Sequence, residues 1–67
     1  MQLRAIAGDC KNGSCPTGYL SDRNTSIVQG YVITDPDALK TMGLPAGETA
    51  VEVPTSLILE MAAQIQA

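Results

Sequence analysis

Apolar and polar positions alternate at the start of the chain. In QLRAIA, residues 2–7, Leu3, Ala5 and Ala7 are set against Gln2, Arg4 and Ile6. A period of two is the signature of a strand. The polar run from Gly8 to Ser14 then reads as a turn, with Asn12-Gly13 its strongest local signal. Thr17-Gly18-Tyr19-Leu20 reads as a short strand and Ser21-Asp22-Arg23-Asn24-Thr25 as a polar tip. Ser26 to Ile33 is the richest strand signal in the chain, being β-branched and aromatic. The two strands and their tip predict a hairpin. Gly30, inside the second strand, predicts a bulge or a close backbone approach.

The pattern changes at Thr34-Asp35-Pro36-Asp37. Proline suits the first position of a helix, where its missing N–H had no partner anyway. Asp35 suits the cap before it, and Asp37 places negative charge at the positive end of the helix dipole. A helix over Pro36–Met42 is predicted. Gly43 is placed to take the left-handed cap, Leu44 to fold back on Leu39, and Pro45 to block continuation. Thr49 to Val53 reads as a strand after the Pro45-Ala46-Gly47-Glu48 turn, and Pro54 ends it. Thr55 or Ser56 would cap a second helix running to about Gln66. Its apolar positions Ile58, Met61, Ala62 and Ile65 recur at helical spacing, while Leu57 and Leu59 lie off that stripe. Apolar residues on a second face imply a deep berth or a partner.

These elements predict one small α+β domain over residues 1–67. It would hold a three- to four-stranded, mostly antiparallel sheet, one short helix, and a C-terminal amphipathic helix covering one face. At 67 residues such a domain buries only about 60% of the surface its unfolded chain exposes. A staple or a second subunit is an expected support. A homodimer is therefore expected, with Leu57, Leu59 and Ile65 as candidate interface residues and a further protein partner allowed.

Composition removes several function classes. The chain has no His, no Trp and no Phe. Without His it lacks the commonest general base and the commonest zinc ligand. No nucleophile stands beside a base in a recognisable pattern and no phosphate-cradling glycine loop is present, so no enzyme activity is expected. Asp35, Asp37 and Glu48 are explained by cap and turn roles. The net charge of −3 is unevenly spread. Arg4, Lys11 and Arg23 outnumber Asp9 and Asp22 in the first third, whereas Lys40 faces five carboxylates in the rest. Only the first part suits phosphate. No signal peptide and no membrane span is visible, which makes a cytoplasmic address the expectation.

Cys10 and Cys15 flank the turn in DCKNGSCP. Four readings stand open. They are free thiols, as a cytoplasmic chain would keep them; a disulfide across the Asn12-Gly13 turn; half of a zinc site; or a redox pair. Structural zinc wants four ligands, so one chain could contribute Cys10 and Cys15 only to a site shared by a symmetric dimer. No other cofactor is expected. The four-residue spacing is not that of the familiar redox motif. Lys11 reads as a solvated turn residue.

The stretch YVITDPDALKTMGLPAGETAVEV, residues 31–53, resembles the swapped-hairpin transcription factors of the AbrB and MazE type. There a strand enters a short helix, a Leu-Gly-Leu-like step ends it, and a Gly-Asp or Gly-Glu turn leads into a valine-rich strand. Thr34 stands where that family usually has proline, and the final helix is an addition. The resemblance covers about a third of the chain. It implies an intertwined homodimer that binds DNA through basic residues of its N-terminal part, here Arg4, Lys11 and Arg23, often as a regulator or antitoxin. CPTGY, the SDR tip and VQGYVITDPDAL are also similar to stretches of small actinobacterial proteins encoded near helix-turn-helix regulators, a likeness that implies no activity.

Overall fold

A computed structural model of the chain describes residues 1–8 and 15–66. The elements run β1 (Leu3–Ala7), β2 (Thr17–Ser21), β3 (Ser26–Gln29), β4 (Tyr31–Val32), α1 (Pro36–Met42), β5 (Val51–Glu52) and α2 (Thr55–Gln66). The fold is α+β, with a three-stranded antiparallel sheet in the order β1-β2-β3 and a separate two-stranded antiparallel ladder of β4 and β5.

The sheet has one covered face. Register places Arg4 opposite Leu20, Ala7 opposite Gly18, and Gly18 opposite Val28, so these residues share a face. α2 lies across β1 and β2 on that side. The simple alternation expected of β1 fails at Ile6, where the register shifts between Ala5 and Ala7. The irregularity turns Ala7 toward the helix, whereas Leu3 and Ala5 stay on the open face. The buried core is Ala7, Leu57 and Met61, with Ile6, Val28 and Val53 packed around it.

The single strand expected over Ser26–Ile33 is two strands serving two sheets. Gly30 is the joint. A Cβ built there would stand 2.7 Å from the Glu52 carbonyl oxygen and 2.6 Å from Val53 Cγ1, a separation real side chains do not tolerate. The close approach expected at Gly30 is what lets the chain pass from β3 to β4 while β5 crosses beside it.

Local chemistry explains α1 fully. Asp35 is extended, with φ −65° and ψ 120°, and its Oδ2 accepts from Ala38 N at 2.9 Å. Gly43 is left-handed at φ 53° and its N–H donates to the Leu39 carbonyl at 3.1 Å. Gly47, at φ 89°, sits in a turn closed by Glu48 N donating to the Pro45 oxygen, the geometry that favours glycine at its third position. The strand expected over Thr49–Val53 pairs only at Val51 and Glu52.

α2 begins at Thr55, so its cap position falls on Pro54 and not on Thr55 or Ser56. Its buried residues are Leu57 and Met61. This corrects two expectations. Leu57 belongs to the core and is unavailable to a partner, at 5% exposed, whereas Ile58 and Ala62, on the stripe set by helical spacing, face outward. Leu57 and Met61 are one turn apart on the face that meets Gly18, and the helix's single carboxylate, Glu60, is also tied to that side. Its Oε2 accepts from Gly8 N at 3.2 Å.

Candidate functional site

The described residues hold two open apolar surfaces, one on each part of the fold. The first belongs to the β4–α1–β5 unit. From residue 31 to residue 52 no side chain is buried, and only Ile33, Ala38 and Ala50 are even partly covered. Val32 is 80% exposed, and Tyr31, Leu39, Met42, Leu44 and Val51 are exposed too. α1 has no buried residue and makes no more than marginal contact with any other element. A cleft of about 590 Å³ opens between the helix start and the ladder, its wall mixing apolar side chains such as Val32, Val51 and Val53 with the polar Thr34, Asp35 and Glu52.

The second surface is the outer side of α2. Leu59 is 67% exposed, Ile65 51% and Ile58 48%. Of the three interface residues expected from sequence, Leu59 and Ile65 therefore lie on an open face and Leu57 does not. Spacing alone assigns Ile58 to the core. One helical period serves both apolar faces of α2, since Leu57 and Met61 are four residues apart just as Ile58 and Ala62 are.

Two of the basic residues stand at one end of the sheet. Asp22 N donates to the Gln2 carbonyl at 3.1 Å, which ties the hairpin tip to the start of β1. Arg4 and Arg23 are exposed at this end. Lys11, the third expected phosphate contact, lies outside the described residues. The tip is held by Ser21, whose Oγ accepts from Arg23 N at 3.1 Å and Thr25 N at 3.2 Å. Asn24 takes φ 60°, a conformation asparagine tolerates better than most residues.

Cys15 is disulfide-bonded. Cys10 lies outside the described residues, as does the Asn12-Gly13 turn. A disulfide sulfur carries no thiolate, so in this state Cys15 offers a zinc ion no ligand and is not the free thiol that a cytoplasmic address predicts. Among the described residues no group of three or more potential ligands gathers. The Cys15 carbonyl is well anchored. It accepts from Thr17 Oγ1 at 2.9 Å and Gln29 Nε2 at 3.3 Å, and Tyr19 donates its hydroxyl to Gln29 Oε1 at 2.9 Å. A smaller cavity of about 210 Å³ separates Cys15 and Pro16 from Pro54, Leu57 and Glu60. No helix among the described residues is long and apolar enough to cross a membrane.

No known protein family, curated protein or solved structure matches the chain. The surfaces themselves must therefore point to a function.

Proposed function

We propose that this chain is a non-enzymatic interaction module, regulatory in role, that works through a macromolecular partner as a homodimer. The observation that carries the reading is the β4–α1–β5 unit, a segment of 22 residues without one buried side chain. Such a segment leaves its Val, Leu and Met side chains in water, and contiguous apolar surface of this kind marks an interface.

Two dimensions of the molecule support it. The accessible surface is 5264 Å² for a 7.0 kDa chain, where the mass scaling for folded monomers gives roughly 4000 Å². The radius of gyration is 13.1 Å, against about 11 Å for a compact domain of this length. The excess surface, roughly 1200 Å² per chain, matches or exceeds the ~800 Å² each partner contributes to a standard interface.

Sedimentation equilibrium over a hundredfold dilution tests the reading. A dimer whose melting temperature falls on dilution is expected, because association stabilises by mass action. A monomer with the same melting temperature at every concentration overturns it.

Arg4 and Arg23 at one end of the sheet favour a second reading, in which the dimer binds DNA as the AbrB and MazE resemblance implies. A dimer doubles the two arginines. Four phosphate contacts would give a log–log salt slope of about −3.6. A gel shift against the region upstream of its own gene, at two salt concentrations, tests it, and no salt-sensitive complex ends it.

We further propose that Cys10 is the partner of Cys15 and that the bond closes the DCKNGSCP turn. Disulfides are rare in the cytoplasm unless transient or regulatory, so with the proposed cytoplasmic address this bond would act as a redox-sensitive staple.

A further inference from the structure

α2 presents an outward seam with a definite geometry. Ile58, Ala62 and Ile65 are spaced four and three residues apart, which at 3.6 residues per turn confines them to about 60° of arc. Leu59 flanks them. This seam lies about 90° round the helix from Leu57 and Met61, so the residues that grip the sheet leave it free. Spacing of four and three is what a helix offers to another helix. Ala62, small and central, permits close approach of two axes.

Charge argues for which helix. Glu60 is the one charged side chain in α2 and is turned away to Gly8. The seam is thus uncharged, and two copies facing each other bury no ion. The helix also carries no acidic residue in its first turn and no basic residue in its last. α1, by contrast, has Asp37 and Lys40 at those places. The macrodipole of α2 is therefore uncompensated by the helix's own side chains at either end, and Pro54 at its cap position supplies no side-chain acceptor. An antiparallel copy of the same helix supplies both compensations at once, its negative end beside the positive end of the first.

We infer that the second copy of this chain docks through α2, the two helices packing antiparallel about a two-fold axis near Ala62, with Ile58 of each copy over the Ala62–Ile65 turn of the other. The inference rests on the homodimer reading and adds to it the surface and the direction. The interface is isologous, as two-fold symmetry requires. It leaves the exposed β4–α1–β5 surface, outside the helix seam, to the macromolecular partner of the proposed function.

Charge exchange tests the seam. All the substituted positions are exposed, so the variants keep the intramolecular core. Ile58→Lys alone and Ile65→Glu alone each place an unpaired charge in an apolar contact and are expected to raise the dimer dissociation constant at least ~10-fold. The double variant Ile58→Lys/Ile65→Glu sets each lysine beside the second copy's glutamate, and is expected to bind more tightly than either single variant. Ala62→Cys is the independent measurement. A short bismaleimide should join two chains of it through position 62, and should not join chains of Ala63→Cys, whose side chain points about 100° away. A wild-type dimer whose affinity ignores both charges, or whose crosslinking is no better at 62 than at 63, overturns the seam and leaves the homodimer reading standing. A wild-type monomer overturns both.

Discussion

Met61 lies directly on the bare backbone of Gly18. A Cβ built at Gly18 would fall within 2.8 Å of Met61 Cε and nearer still to the thioether sulfur. Met61 is 5% exposed, so any shift of its side chain is made inside the core. The docking of α2 on the sheet thus depends on the absence of one methyl group. Gly18→Ala should destabilise the fold by about 1–3 kcal/mol through overpacking. Met61→Ala should cost about 2–4 kcal/mol as a cavity. The double variant should be less unstable than the sum, because the cavity receives the new methyl. Urea unfolding of all four proteins measures the coupling, and strict additivity would mean the two residues do not meet.

Gly30 is the second position closed to a side chain, and there the obstacle is backbone. Its neighbour is the Glu52 carbonyl oxygen, which cannot turn aside as a methionine can. Gly30→Ala should therefore be at least as costly as Gly18→Ala. Amide hydrogen exchange should show the loss at Tyr31, Val32, Val51 and Glu52, the β4–β5 ladder, before the three-stranded sheet opens.

Gly43 faces empty space, so its substitution isolates the backbone term. Nothing lies within 4 Å of a Cβ there, yet φ is 53°. Gly43→Ala should cost about 1 kcal/mol, and Gly43→Asn less, since asparagine accepts the left-handed region. Equal costs for the two variants would show that helix capping is not what this glycine does. Thermal melts of both proteins provide the comparison.

Cys10→Ser and Cys15→Ser should destabilise equally if the two cysteines are joined to each other. Closing so short a loop is worth about 2 kcal/mol in the chain-entropy account. The unmodified protein should weigh two hydrogens less than its reduced form, with no intermolecular bond on a non-reducing gel. A larger loss from one serine variant than from the other would place the partner of Cys15 elsewhere.

Glu60→Gln should be nearly silent in stability, within about 0.5 kcal/mol, because the bond it makes to Gly8 N is exposed. The neutral amide keeps an acceptor for that N–H. Glu60→Ala should cost more and should loosen the chain at Gly8, visible as faster amide exchange there.

Much of the local structure is legible in the chain itself. Asp35, Pro36 and Gly43 delimit α1 to the residue, because capping acts through neighbours in sequence. Gly30 announces a close approach, although not what approaches. The candidate surfaces are legible only in part. Leu59 and Ile65 are identifiable as apolar residues without an evident berth, and Arg4 and Arg23 as the cations outside the acidic half. Leu57 and Ile58 exchange places between expectation and structure, since helical spacing gives two apolar arcs on α2 and no local rule ranks them.

Sequence alone determines both ends of α1 and the starts of β2 and β3, since propensities, caps and turn residues act over a few positions. Tertiary structure alone decided which side of α2 is inside. Gly18 offers a flat place for Met61, the irregularity at Ile6 turns Ala7 toward the helix, and Glu60 reaches Gly8 across 52 positions of sequence. It also decided that the run from Ser26 to Val32 serves two sheets, because the break at Gly30 is made by β5, which lies some twenty residues further on. Burial is a relation between distant segments, and no window along the chain contains both partners.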